Sequence, residues 1–217
     1  MNRYTELAIG TFQDVLSEQA TAIIGHHENE RDVVHLLYAV LQEEVAKQIP
    51  LGEGIEAELV EHLAIYAVRA VDYREVAGQL SPSPTPAFDQ DEWNARLKGE
   101  SSLSPVEEAT GSLSGATNVV YRRYVAHDRE LAQRLGKIAQ GTEHVGLWGF
   151  SSEVKALTMR LLMEGLREAG HLAKAFAYMT LSYVEWDKLG AALAPGAGFN
   201  RSDESVRGLV RRFAPEL

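Results

Sequence analysis

The chain contains no cysteine, which excludes disulfides and thiolate metal sites and fits a reducing compartment. No run of about 18 apolar residues occurs, so no segment reads as a transmembrane helix. The opening MNRYTELAIG has no basic stretch leading into an apolar core, so it does not read as a secretory signal, and a cytoplasmic location is expected. Positive charge is in deficit. The 21 Lys and Arg residues face 31 Asp and Glu, leaving a net charge of −10, whereas nucleic-acid and anionic-membrane footprints need clustered cations. The expected partners are therefore proteins or peptides, basic ones included, with no nucleic acid and no membrane. Proline is scarce, and three of the seven fall at 82, 84 and 86.

What is present is apolar periodicity. Apolar residues make up 45% of the 217, enough for a packed core in one domain or two small ones. Leu7, Ala8, Phe12, Val15, Leu16, Ala20, Ile23 and Ile24 recur three and four apart, which predicts a helix over Thr5–Ile24 that Gly25 ends. The same pattern predicts a helix from Asn29 to Gln48, stopped at Pro50, and a third from Glu53 to about Gln79. Residues 80–103 form a Pro/Ser-rich linker. Phe88 and Trp93 within it point either to docking on a folded surface or to a short local helix. Helix resumes at Pro105, with Ser104 as N-cap and Glu107 and Glu108 at the positive end. It runs toward Leu131, breaks over Gly136–Gly141, and is followed by the apolar stretch HVGLWGF. A long helical pattern then covers Ser152 to about Gly190, ending at Pro195, Gly196 and Gly198, and Ser202 caps a last helix reaching Phe213. No convincing alternation marks a strand, so the fold class is all-α.

The two halves match each other loosely, and self-similarity is more informative than any single motif. The first half reads RYTELAIGTFQDVLSEQA, then Gly25-His26, then HLLYAVLQEEVAKQIPLGEGIEAELVEHL. The second reads LSPVEEATGSLSGATNVVYRRY, then Leu135-Gly136, then GTEHVGLWGF and EVKALTMRLLMEGL. Each gives a long helix, a glycine turn, a His-led apolar helix and a further helix.

These residues resemble the double repeat of the N-terminal domain of Clp AAA+ unfoldases. Arg3-Tyr4-Thr5 is similar to that family's first opening, Ser104-Pro105 to the second, and Gly141-Thr142-Glu143-His144 to its Gly-Thr-Glu-His signature. The resemblance spans roughly Asn2 to Arg167. It implies two pseudo-symmetric multi-helix repeats, residues 1–79 and 104–217, the second with a C-terminal helical extension. It also implies a non-catalytic, cofactor-free module that binds Clp substrates, adaptors or domain-binding cyclic peptide antibiotics through Tyr4, Thr5, Ser104, Glu143 and His144. No G-x-x-x-x-G-K-[ST] phosphate loop is present, so ATP hydrolysis by that route is excluded and the chain reads as a stand-alone adaptor or decoy.

Other motifs are weaker. His26, His27, Glu28, Glu30 and His35 have metal-ligand chemistry but not the spacing of a helical site, and a turn with a cap is the plainer reading. Glu58 and His62, four apart, read as a surface ion pair. Arg122 and His127 in RRYVAH resemble the arginine, four residues, histidine pattern of HEPN ribonucleases. That resemblance implies RNA cleavage with His127 as acid or base and Arg122 stabilising phosphate charge; Arg123 following Arg122 and the acidic balance disfavour it against solvated charges beside a turn. Trp148, Phe150, Phe176, Tyr178, Tyr183 and Trp186 read as core.

The resemblance makes one sharp prediction. Val34 occupies the first-repeat position where the family has an acid, so the second repeat alone keeps a carboxylate, Glu143, beside Ser104. Phosphoarginine, if bound, should occupy one site, and Glu143→Ala should weaken it by about 2–5 kcal/mol by leaving a guanidinium unpaired. Calorimetry showing two equivalent sites, or unchanged affinity in that variant, would contradict the half-site.

Overall fold

The computed structural model of the chain describes residues 2–26, 29–50, 52–81, 113, 115–142 and 146–194. Among them are ten α-helices and no strand, so the described fold is all-α. The first three helices are α1 Arg3–Asp14, α2 Ser17–His26 and α3 Glu30–Lys47. Asn2 caps α1 by accepting from the Thr5 N–H at 2.8 Å, and Asn29 caps α3 by accepting from the Arg31 N–H at 2.9 Å. The helix expected over Thr5–Ile24 is therefore two. Val15 and Leu16 both donate their N–H to the Thr11 carbonyl, at 2.9 and 3.0 Å, and sharing that acceptor breaks the i→i−4 series.

The helix expected over Glu53–Gln79 is likewise divided, into α4 Ile55–Arg69 and α5 Tyr73–Leu80. Asp72 between them accepts from the Arg74 and Glu75 N–H groups at 3.1 Å each, an N-cap that starts a new helix. The second half comprises α6 Gly115–Ala126, α7 Asp128–Gly141, α8 Gly146–Gly165, α9 His171–Leu181 and α10 Trp186–Leu193. The expected break over Gly136–Gly141 does not occur: α7 continues through Gly136, which lies buried between core residues Leu135 and Ala139. The long helix expected over Ser152–Gly190 is interrupted twice. At the first interruption Gln48 of the first half receives the chain, its carbonyl accepting the Gly170 N–H at 2.8 Å and its side-chain oxygen the Leu172 N–H at 2.9 Å. At the second, the Glu185 N–H turns to the Thr117 hydroxyl. Residues 82–103 of the expected linker, the Ser104–Pro105 helix start and the Ser202–Phe213 helix lie outside the described residues.

One continuous core joins the helices. The most extensive helix pair is α4 with α9. Ala64 and Ala67 on α4 and Ala173 and Ala177 on α9 are all buried, and small side chains let two helices approach closely. α4 also packs on α6 and α8, while α9 packs on α1 and α3. α5 rests on α1 and α3, and α10 rests on α6 and α8. α2 packs on α1 and α3, and α7 on α6 and α8.

Two hydroxyls fasten this arrangement. Thr5, in the first turn of α1, accepts the Asp72 N–H at 2.9 Å, and Thr117, in the first turn of α6, accepts the Glu185 N–H at 2.9 Å. Both threonines are 0% exposed. Each ties the opening helix of its half to the residue that begins that half's last described helix. Thr5→Val and Thr117→Val keep the side-chain shape but orphan a part-buried amide, which costs about 1–3 kcal/mol. Both variants should therefore unfold at lower urea concentration with unchanged slope. A loss below about 0.5 kcal/mol in either would show that the bridge is dispensable.

Candidate functional site

The resemblance singles out five residues, and the structure describes two of them. Thr5 is fully buried, with its hydroxyl accepting from Asp72 and donating to the Asn2 side-chain oxygen at 3.0 Å, so it presents no surface to a ligand. Tyr4 is nearly as deep. Its ring packs edge-on against Tyr66 at 6.4 Å and tilted against Tyr183 at 5.1 Å. Burial pushes the Tyr4 hydroxyl up to about 12, against the opposing influence of the Thr180 hydroxyl it faces. It is a neutral packing group. Ser104, Glu143 and His144 lie outside the described residues, as do His27 and Glu28 of the histidine-rich turn. Among the described residues no three His, Asp or Glu side chains gather as a metal site would require, and Glu30 instead pairs with Arg74 at 3.3 Å.

Polar groups converge instead on the first turn of α4. Glu58 receives the Arg123 guanidinium at 2.5 Å and His127 Nε2 at 3.1 Å, while Glu56 stands 3.9 Å from Arg134. This corrects two sequence readings. His62 makes no ion pair with Glu58; its Nδ1 lies 2.8 Å from the Glu58 carbonyl, and the carboxylate turns to the second half of the chain. Arg123 and His127 are not solvated charges, since both are largely covered. The arginine sharing a carboxylate with His127 is Arg123 rather than the Arg122 of the ribonuclease pattern, because residues four apart on a helix share a face and those five apart do not.

The aromatic residues divide. Phe150 and Phe176 are core, and Trp186 packs against it. Trp148 is 64% exposed in the first turn of α8, and Tyr178 and Tyr183 are also exposed, contrary to their reading as core. Helix α8 buries residues on either side of Trp148, Leu147 and Gly149, which turns the indole to the other face.

A groove of about 370 Å³ lies between α7 and α8. Ile138, Leu157 and Leu161 supply its apolar part, and Arg134, Lys137, Arg160 and Glu164 its charged part. Sequence reading missed it. The one signal was the Arg134, Lys137 spacing of three, which puts two cations on one face, but nothing local shows that α8 brings Arg160 opposite them.

No family model, curated protein or solved structure matches the chain. Among the described residues no helix is long and apolar enough to cross a membrane.

The Glu58 cluster yields a pH prediction. Burial raises the Glu58 carboxyl, but hydrogen bonds and charge from His127 and Arg123 outweigh it and hold the group below its ordinary value. A carboxyl depressed in the folded state contributes stability above its unfolded value, and that contribution is lost as pH falls through the folded one. Glu58→Gln should therefore lose about 0.5–1.5 kcal/mol at neutral pH, and the difference from the parent should narrow as pH falls below the ordinary carboxylate range. Urea unfolding at pH 7 and pH 3 measures both, and an unchanged gap at low pH would refute the ionic coupling.

Proposed function

We propose that this chain is a non-catalytic, polypeptide-binding module of two pseudo-symmetric helical repeats, acting in the cytoplasm as a free-standing relative of the Clp unfoldase N-terminal domain. The observation that carries this reading is the matched pair of threonine bridges. Exchanging α1 with α6, α2 with α7, α3 with α8, α4 with α9 and α5 with α10 maps the Thr5–Asp72 hydrogen bond onto the Thr117–Glu185 bond. It also carries α4 on α6 and α8 over to α9 on α1 and α3, and α5 on α1 and α3 over to α10 on α6 and α8. The α4–α9 pair maps onto itself, as a pair astride a twofold axis must. Contacts of α3 and α1 with α4, and of α2 with α5, have no counterpart of similar extent in the second half, so the symmetry is approximate.

This correspondence favours a register different from the motif comparison. Thr5 falls on Thr117, so the second repeat opens at Gly115, beyond Ser104-Pro105. The two buried threonines then belong to the scaffold, and binding falls to what the scaffold exposes: Trp148, Tyr178, Tyr183 and the α7–α8 groove. Trp148 and Tyr178 stand on helices and Tyr183 on the turn that follows α9, and exposed aromatic side chains on a rigid frame are common anchors of polypeptide recognition. Substrates or adaptors of a Clp unfoldase, or a cyclic peptide, are the partners this reading implies.

The test is an array of overlapping short peptides tiling an unfolded protein, probed with the purified chain. Retention on a subset of peptides, with dissociation constants on the order of 10 μM and no turnover of ATP or RNA, is the expected outcome. An array with no retained peptide would overturn the reading. So would RNA cleavage abolished by His127→Ala, which would establish the ribonuclease alternative.

A further inference from the structure

The α7–α8 groove runs against the composition of the protein. In a chain of net charge −10, three cations surround one apolar depression, Arg134 and Lys137 from α7 and Arg160 from α8, with Glu164 the one acid. All four charged side chains are exposed, so their positions reflect a wall of the groove and not a buried network. Arg134 reaches Glu56 only at 3.9 Å, which leaves its guanidinium available to a closer acceptor. The floor is fixed: Leu157 and Leu161 belong to the core, and Ile138 packs against it. A volume of about 370 Å³ is at the small end of ligand sites and suits one large side chain, not a whole helix.

An apolar floor ringed by cations complements an apolar side chain flanked by carboxylates. Phosphate-rich ligands fit less well, because the apolar floor offers them nothing; Glu164 opposes any anion alike, but on an extended peptide it can also accept a backbone N–H, which a phosphate does not provide. We propose that this groove receives a short acidic segment of another polypeptide. One aromatic or branched side chain lies on Ile138, Leu157 and Leu161, and its carboxylate neighbours are held by Arg134, Lys137 and Arg160. The inference rests on the polypeptide-binding reading and names the partner's chemistry. It also makes the site single. On the offset set by Thr5 and Thr117, Arg134 and Lys137 correspond to Ala22 and Gly25, so the first half has no equivalent cations.

The probe is a fluorescein-labelled peptide with one tryptophan between two pairs of glutamates, followed by anisotropy on the full chain. Binding should weaken about tenfold in the Lys137→Glu, Arg160→Glu double variant and several-fold on raising salt from about 0.05 to 0.5 M. Arg129→Glu, an exposed change on α7 outside the groove, should leave it unchanged. Versions with glutamine for glutamate, or alanine for tryptophan, should bind at least about tenfold more weakly. Equal binding by the double variant or by the glutamine peptide overturns the inference, as does tighter binding of a uridine-rich RNA of the same length. Self-association of the chain that the double variant abolishes would also overturn it, by assigning the groove to a second copy. The peptide array separates this failure from that of the broader reading. Retained peptides that are not acidic, and that the double variant still holds, defeat the groove assignment alone; an array with none retained defeats the binding module itself.

Discussion

The burial of α4 is the constraint on which the rest of the structure depends. Ile55, Leu59, Val60, Leu63, Ala64, Ala67 and Val68 are all buried, a broad apolar face that several helices must cover, while Glu61 and Arg69 mark the side left to solvent. Each of the large side chains among them contributes about 1.5–3 kcal/mol on leaving water. Two of the surrounding elements approach it at a residue that lacks a side chain. A Cβ on Gly165 of α8 would stand 2.3 Å from the Glu56 carbonyl oxygen, and one on Gly115 of α6 would stand 2.2 Å from the Tyr66 hydroxyl. Gly165 lets α8 come against the α4 backbone itself, while Gly115 leaves room for the Tyr66 ring. Glu58 then ties the α6–α7 junction to α4, because a carboxylate at the start of α4 is met by the cation and imidazole of Arg123 and His127 there.

Thr5, singled out from the sequence, and Thr117, which the sequence did not single out, do the same structural work. In both places the hydroxyl accepts the N–H of a residue that precedes a helix, Asp72 or Glu185. Such an amide has no partner inside its own helix and must be satisfied from outside. A serine would supply the same acceptor, but the β-branched methyl fills space at a site with no solvent access. The residue therefore answers a structural requirement that recurs once in each half, with no need of a ligand to explain it.

The helical class was legible because an amphipathic period survives in every element. Boundaries were legible only where the signal was local. Asn29 as a cap and the stop near Pro50 were readable, and Asp72 with Glu75 three residues on was a readable capping signal that the continuous apolar pattern obscured. The division of 152–190 was not readable, since Gln48, which receives the start of α9, lies 124 residues away from Leu172 in sequence. The same holds for the polar cluster. Nothing around Glu58 announces Arg123, 65 residues distant, whereas His62 sits four residues away and drew the local reading. Of the candidate residues, the deep burial of Thr5 and Tyr4 also escaped sequence, because both occupy the apolar face of a helix whose polar face was equally available to a short hydroxyl or a phenol.

On the proposed two-repeat reading, halves built on one scaffold need not share a surface. The threonine bridges and the α4–α9 pair are buried, so a change there disturbs both the local helix and the common core; mutations at buried polar sites are among the more damaging kinds. The outer faces of α2 and α7 carry no such constraint, and substitutions there usually alter stability by less than about 0.5 kcal/mol. Charge can therefore diverge freely on the outside while hydrogen bonds hold the inside. Ala22 and Gly25 on one side against Arg134 and Lys137 on the other is the outcome that difference in constraint permits. A scaffold of this kind separates what must be kept, an amide satisfied by a threonine, from what can be specialised, a wall of cations on one half of an acidic protein.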